Sequence, residues 1–384
     1  MQRIPPYKTL DVFRGFAALW VVMVHCCDRW LADGNEAHLK EPLYAFSIRG
    51  QLGVMLFFAI SGYCIVAAAY GALISEKTVG RYAFERLRRI YPPYLAGLIL
   101  TLLSFLAIAF ANAHHLIPHV NHLATMHTDA RYWIGNVFLL QYELDTPFVS
   151  IIFWSLCYEV AFYLIVGLFL QGGRWIKTRW GLHAGIVFLV NAMGVTTILA
   201  LVYLLILAKA VFPFDLWHQF AIGGMLFFLL ELKPETMVGY SVNFRRMLVG
   251  QVALVTLLTV MFIALRQVGD SNPSSKVRSL VALVFAGLLI VLRKHDEKLA
   301  SWRVLRPWMW VGAFSYSLYL IHPVVVPYAD ILSRRAGLTG SLYWIAFWIQ
   351  FAVAVISGRI FYLLIERHFI SKRQVQRLDA EHVA

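Results

Sequence analysis

Charge is scarce in this chain. Only 14% of its 384 residues are Asp, Glu, Lys or Arg, where a soluble domain carries about 25%, and 60% are hydrophobic, where about 45–50% is usual. So few charged groups cannot cover so much apolar surface in water, which excludes a cytosolic enzyme and a disordered tail protein. No stretch of average soluble composition is long enough for a second domain. Cysteine is also sparse: Cys26, Cys27, Cys64 and Cys157 lie inside apolar runs, without metal-ligand spacing or a framework of pairs. That excludes a secreted disulfide scaffold and reads as small buried side chains. A cleavable signal is absent as well, because the first apolar run continues at full membrane length and contains Arg14. Acidic residues number 21 against 34 basic ones, a net charge of +13. In a soluble protein that balance would suggest nucleic acid. Here the placement of the charges points to the membrane, and no nucleic-acid partner is expected.

What is abundant is apolar segments of spanning length, about 20 residues each. Ten qualify: 12–28, 51–71, 92–113, 148–170, 184–207, 213–231, 247–265, 277–292, 308–331 and 342–365. Pro92-Pro93, Pro118, Pro147, Pro213, Pro234, Pro273 and Pro307 stand at expected edges. The longest connection, 114–147, holds an apolar piece from Tyr132 to Tyr142, too short to span and suited to lying at the interface or dipping back in. The fold expected is all-α: one polytopic membrane domain over 1–384 with about ten transmembrane helices and a cytoplasmic tail from about 367. With a cytoplasmic N-terminus, 22 of the 34 basic residues fall on the cytoplasmic side and 9 on the other, with Arg14, Arg278 and Arg359 inside helices. This follows the positive-inside rule, so both termini are expected in the cytoplasm.

Ionisable groups inside spans need a reason, since Arg or Asp at the bilayer centre costs about 2.5–3.5 kcal/mol on insertion scales. The first segment, LDVFRGFAALWVVMVHCCD, carries Asp11, Arg14, His25 and Asp28. At about 100° and 1.5 Å per residue, Arg14 and His25 share a helix face about 16 Å apart. Asp28, at i+3, can reach the His25 ring. Taken alone, Arg14 reads as readily as a side chain snorkelling to headgroups, and His25 as one hydrogen-bonded between packed helices. Glu159 in FWSLCYEVAFY, His322 in SYSLYLIHP and Ser61 in GVMLFFAISGY fall at depths of about 15–20 Å along their own helices. A base, a carboxylate, a second imidazole and a hydroxyl at similar depth suggest one internal polar site. Glu159 needs a partner, because an unpaired carboxylate in lipid is the costliest arrangement. His322 has a plainer reading too: Pro323 frees a backbone carbonyl that the imidazole can satisfy.

The stretch RYAFERLRRIYPPY gathers Arg81, Arg86, Arg88 and Arg89 on the cytoplasmic side. It suits either lipid headgroups or a phosphate site, whose oxygens match arginine forks. His114, His115, His119, His122 and His127 have spacings that can ligate a metal on a helix. Pro118 interrupts them and no cysteine or acid completes a set, so no metal is expected.

Taken together, LDVFRGFAALWVVMVH, GVMLFFAISGY, RLRRIYPPY, FWSLCYEVAFY and SYSLYLIHP, in this order on a ten-segment map, resemble the acyltransferase-3 family of integral membrane O-acyltransferases. The resemblance runs from Leu10 to about Glu366. It implies an enzyme moving an acyl group, by family habit acetyl, from cytoplasmic acyl-CoA to a hydroxyl of an extracytoplasmic glycan or lipid-linked saccharide. The setting it implies is the bacterial cytoplasmic (inner) membrane, in contact with membrane lipids. The family's first-helix arginine and histidine carry over to Arg14 and His25, its arginine pair to Arg86 and Arg89, and its tryptophan-serine-leucine motif with glutamate to Trp154, Ser155 and Glu159. Arg14, Arg86 and Arg89 would hold the CoA phosphates while the pantetheine arm threads inward. His25 would be general base or transient acyl carrier, with Asp28 or Glu159 orienting it. Ser61, Trp154, Ser155 and His322 would complete the polar site. Acyl-CoA enters as co-substrate, with no bound cofactor. Some family members append an extracytoplasmic domain; the segment map suggests a stand-alone form. A secondary transporter or flippase is the rival reading, since ten helices with a midplane polar site suit transport also.

Overall fold

The computed structural model describes residues 7–31, 41–75, 77–115, 129–207, 211–232, 242–265 and 274–370, the side chains of 28–31, 274 and 341 excepted. The described residues form fourteen α-helices and no strand. They are α1 (Leu10–Leu31), α2 (Pro42–Ser47), α3 (Gly53–Ile74), α4 (Val79–Ala113), α5 (Ala130–Phe138), α6 (Gln141–Leu144), α7 (Trp154–Leu207), α8 (Phe214–Glu231), α9 (Val242–Leu265), α10 (Ser274–Arg293), α11 (Asp296–Ala300), α12 (Arg306–Ala313), α13 (Ser315–Arg335) and α14 (Tyr343–Leu364). The apolar segments expected to span fall on these helices, except that 308–331 is divided between α12 and α13 and 148–170 begins six residues before α7.

Among the described residues seven helical stretches are long and apolar enough to cross a membrane, or eight if the bent pair α12–α13, which turns by 68°, counts as one span. The difference from ten has two sources. The segments 148–170 and 184–207 are joined in α7, a 54-residue stretch broken at Gly181 (φ 85°, ψ 170°). Straight, it would extend about 80 Å, far beyond an approximately 30 Å hydrocarbon core. Glycine takes this left-handed backbone without a Cβ penalty, and the two legs fold back so that Gly185 packs on Gly173 and Phe188 on Gly172. The second source is α8, whose Asp215, His218, Gln219 and Glu231 lower its hydropathy.

Pro92 and Pro93 do not mark an edge. They lie inside α4, which starts at Val79 and is 35 residues long, so the expected arginine loop is the first turns of a helix. Proline inside a membrane helix is tolerated where a neighbour meets the freed backbone. Pro92 and Pro93 free the carbonyls of Arg88 and Arg89; one residue on, the Ile90 carbonyl accepts the Tyr316 hydroxyl of α13 at 3.0 Å and ties the two helices. Pro323 and Pro327 likewise sit inside α13.

Contacts divide the chain into two compact units. The first comprises Met1–Leu10, Val54–Arg86 and Tyr158–Arg303. Its core is aromatic, with Phe220 stacked on Phe58 at 4.2 Å and on Phe162 at 4.8 Å. The α3–α8 crossing is set by a reciprocal glycine pair: a Cβ on Gly62 would run into the Phe220 carbonyl, and one on Gly223 into that of Ala59. Lipid is as apolar as leucine, so helices there gain by close packing at small residues rather than by hiding apolar surface. At one end of this unit Glu231 accepts both Arg293 (2.6 and 3.1 Å) and the Tyr63 hydroxyl (2.8 Å). Asp296 accepts the Lys8 and Thr9 backbone N–H groups and pins the chain entering α1. Outside the spans, burial pushes the Tyr7 phenol up to about 12, and its hydroxyl donates to the Leu289 carbonyl.

The second unit comprises Asp11–Gly53, Leu87–Cys157 and Val304–Ala384. Here α13 packs along α14, with Gly358 against Leu318, and α1 meets α12 through another reciprocal pair, Gly15 and Gly312. The short α5 and α6, covering the expected Tyr132–Tyr142 piece, close on buried Asn136. Its Nδ2 donates to the Tyr132 and Pro147 carbonyls, and its Oδ1 accepts Gln141 Nε2 and the Val149 N–H. Large apolar side chains such as Leu106, Phe110, Leu168, Leu257, Val284, Ile356 and Leu364 stay exposed. In water such surface would drive association; on long apolar helices it is the face turned to lipid.

Candidate active site

Each unit carries its own part of the expected polar site. In the second unit the His25 and His322 rings approach to 5.0 Å between centroids, α1 against α13. His322 is wholly buried, and its Nδ1 faces the Leu318 carbonyl at 3.1 Å. A carbonyl only accepts, so that contact places the proton on Nδ1. Nε2 is then a bare lone pair, and it has no hydrogen-bond partner among the described residues. One nitrogen of His322 thus serves a backbone carbonyl, that of Leu318, whereas the carbonyl that Pro323 frees is that of Tyr319. Tyr319, whose ring lies 5.9 Å from that of His322, shares a hydrogen bond with Ser155 (2.8 Å), and its hydroxyl donates to the Ile152 carbonyl (2.9 Å). Ser155 is thus a buried tie between α7 and α13. Trp154, half-buried, begins α7 beside it.

Toward the start of α1, Arg14 Nη1 bonds Asp11 Oδ1 at 2.6 Å, with both side chains largely buried. Arg14 is thus no snorkelling cation. Glu366, just past α14, is buried and accepts the Ser317 N–H (3.1 Å) and hydroxyl, while Arg89 and Arg14 both act on it electrostatically. Two of the three expected phosphate arginines therefore converge on one carboxylate that the motif reading overlooked. Its signal was present: an acid immediately after the last span needs cations nearby. Arg359 is engaged otherwise, its guanidinium 5.2–5.7 Å from the ring centres of Trp310, Phe314 and Tyr362.

In the first unit Glu159 finds the partners it requires. Its Oε1 accepts the Tyr163 hydroxyl at 2.8 Å and that of Ser61 at 3.3 Å. Next to it, the Tyr158 hydroxyl donates to Asp215 (2.9 Å). Arg86 belongs to this unit as well, and its Nε is buried without a hydrogen-bond partner among the described residues. Asp28 lies on α1, but its side chain is outside the described residues, as are His119, His122 and His127.

A family model described as an acyltransferase domain, Acyl_transf_3, matches residues 7–365. The chain belongs to the acyltransferase-3 family. Among curated proteins it is similar to the O-acetyltransferase OatA of Staphylococcus aureus strains NCTC 8325, COL and MRSA252, each 23% identical over 372 residues. The alignment covers 91% of this chain and 55% of each relative, so the chain spans about half the length of the curated relatives it matches. No solved structure matches it. The family match covers the stretch from Tyr7 to Ile365 that holds His25, Arg14, Arg86, Arg89, Glu159 and His322, and stops one residue short of Glu366.

Proposed function

We propose that this multi-pass membrane protein is an O-acyltransferase that moves an acyl group, acetyl by likeness to the relatives named O-acetyltransferase, from acyl-CoA to a hydroxyl of a glycan or lipid-linked saccharide on the far side of the bacterial cytoplasmic membrane. The observation that carries the reading is the imidazole pair: a wholly buried His322 with its proton committed to Leu318, beside His25, on a helix whose other end holds Arg14. CoA is a polyanion that cannot enter lipid. Its phosphates stay at the inner face with Arg14, Arg86 and Arg89, and only the pantetheine arm reaches inward. The Arg14–His25 separation of about 16 Å along α1 suits such an arm.

At the far end of that arm, His25 takes the proton of the acceptor hydroxyl as its oxygen attacks the thioester carbonyl. The tetrahedral intermediate collapses by breaking the carbon–sulfur bond, and the imidazolium returns its proton to the leaving thiolate. In the covalent variant His25 itself carries the acyl group between the two substrates. In either variant His322, its ring 5.0 Å from that of His25 between centroids, accepts an N–H from His25 at Nε2, as the acid of a hydrolytic triad does. Asp28 remains the proposed carboxylate partner of His25 on α1. Both termini lie in the cytoplasm in this reading, with α7 crossing twice and α8 crossing despite its polar groups. Mass spectrometry of the host's surface glycans with and without this chain tests the function. Loss of one acyl mass on a glycan is the expected result, and unchanged glycans overturn the reading.

A further inference from the structure

Along α13 and α14 the second unit passes from close packing to open space. Gly358 presses on Leu318 near the start of α13. Further on, the two helices border a cavity of about 370 Å³, within the roughly 300–1,000 Å³ of small-molecule sites. Its walls are Val325, Ala329, Leu332 and Ser333 of α13 and Ile349 and Val353 of α14, and it ends at Ala336 and Leu338. Val325 and Ala336 are eleven positions apart. That is about 16 Å along the helix at 1.5 Å per residue, close to half of an approximately 30 Å hydrocarbon core.

The lining asks for hydrocarbon. It is aliphatic except for Tyr328 and Ser333, and both hydroxyls are used: Tyr328 donates to the Ser104 carbonyl of α4 at 2.8 Å, and Ser333 to the Ala329 carbonyl at 2.7 Å. A polar guest would lose its hydration without compensation, whereas an apolar chain gains dispersion contacts on both walls. Leu332 and Ile349, one on each wall, are 65% and 41% exposed, so the cavity opens sideways onto the lipid-facing surface. At its end, next to Ala336, Arg335 is exposed in the last turn of α13, while Arg334 bonds Asp330 at 3.0 Å. An arginine at that rim suits a phosphate oxygen. An apolar slot one leaflet deep, open to the bilayer on its side and with a cation at its rim, has the outline of one phospholipid chain below its headgroup. We propose that the cavity is a bound-lipid site: one chain of a phospholipid lies between α13 and α14, with its phosphate at Arg335 and its methyl end near Val325, about one turn beyond His322. The site stands on shape and charge, whatever reaction the histidine pair serves.

The test is photolabelling of the full chain in phosphatidylcholine nanodiscs containing a small share of phosphatidylglycerol with a diazirine either near the glycerol or near the chain end. The first reagent should label Ala336 and Leu338 and the second Val325 and Val353, each several-fold above the exposed Leu257 and Val260 of α9. Ile349→Trp narrows the slot from its lipid-facing wall and should cut that labelling several-fold with α9 unchanged; Ala336→Leu does the same from the rim and serves if the tryptophan variant fails to fold. Arg335→Gln should weaken labelling a few-fold at low salt and less at high salt. Slot labelling no stronger than that of α9, or undiminished in the folded slot variants, overturns the site. Wild-type labelling in Arg335→Gln overturns the phosphate contact, and loss of the depth order between the two reagents overturns the chain's orientation. A diazirine prenyl phosphate that labels the slot and excludes phosphatidylglycerol from it overturns the phospholipid assignment.

Discussion

At the scale of single residues, the two histidines differ in what the fold asks of them. His322 has one nitrogen bound to Leu318 and the other bare, so its tautomer is decided before any substrate arrives. His25 sits beside it at the end of the Arg14 stripe. If His25 is the base or the acyl carrier, His25→Ala should insert and fold yet lose transfer by at least the 10²–10⁴-fold typical of general bases. His322→Phe keeps the ring volume and removes the lone pair, so kcat should fall on the order of 10²-fold with the donor KM unchanged. Acyl transfer by purified variants reads both, and near-wild-type turnover in His25→Ala sinks the mechanism.

The arginines separate in the same way. Arg14 and Arg89 converge electrostatically on Glu366, whereas Arg359 is enclosed by three aromatic rings. Arg14→Ala and Arg89→Ala should each weaken acyl-CoA binding by roughly ten- to hundred-fold, about 1.5–3 kcal/mol for a charge-assisted contact. Arg359→Gln should leave that affinity alone and cost stability instead, about 0.5–2 kcal/mol for lost cation–π contacts. Calorimetry on protein in nanodiscs, with a parallel unfolding series, distinguishes the two patterns.

At the scale of elements, glycine rather than hydrophobicity decides where helices cross. Gly62 sits in the ISGY motif, yet its part is to let α8 approach, with Gly223 reciprocating. Gly62→Ala adds a Cβ where a backbone carbonyl already stands. Overpacking of this kind costs about 1–3 kcal/mol. Gly250, exposed on α9 with no atom near its missing Cβ, is the counterpart. Gly250→Ala should be neutral or stabilising by about 0.5–1 kcal/mol, since a helical glycine surrenders more backbone entropy than alanine. Unfolding in mixed micelles should therefore move in opposite directions for the two variants, and the same sign in both would refute the crossing argument. Proline behaves differently here than it does in soluble helices. Pro92, Pro93, Pro323 and Pro327 all sit within helices.

At the scale of the whole molecule, the basic residues lie 22 to 9 in favour of one side. Reporter fusions after Ala384 and within 232–246 should read cytoplasmic, and fusions near His119 external. An external C-terminus would require an odd number of crossings and would remove α7 as a double span.

Helix content and the membrane setting were legible in the sequence, because hydropathy over 20 residues reports transfer free energy directly and needs no partner; the count of ten spans was not, since seven or eight described helices are long and apolar enough to cross. The family was legible too, as five short motifs in order. The edge at Pro92-Pro93 was misread, since both lie inside α4, whereas Pro213 caps α8 and Pro307 opens α12 as expected. The site was legible as residue types and depths, not as partners. Helical periodicity shows that His25, Glu159, His322 and Ser61 each need company, but packing chooses it. It put His322 beside His25, Ser61 and Tyr163 on Glu159, Asp11 on Arg14, and Arg89 in the field of Glu366. What the sequence alone determined is that buried polar groups must exist inside this membrane protein. Which donor meets which acceptor only the tertiary structure decided, because a hydrogen bond is directional and short where hydropathy is neither.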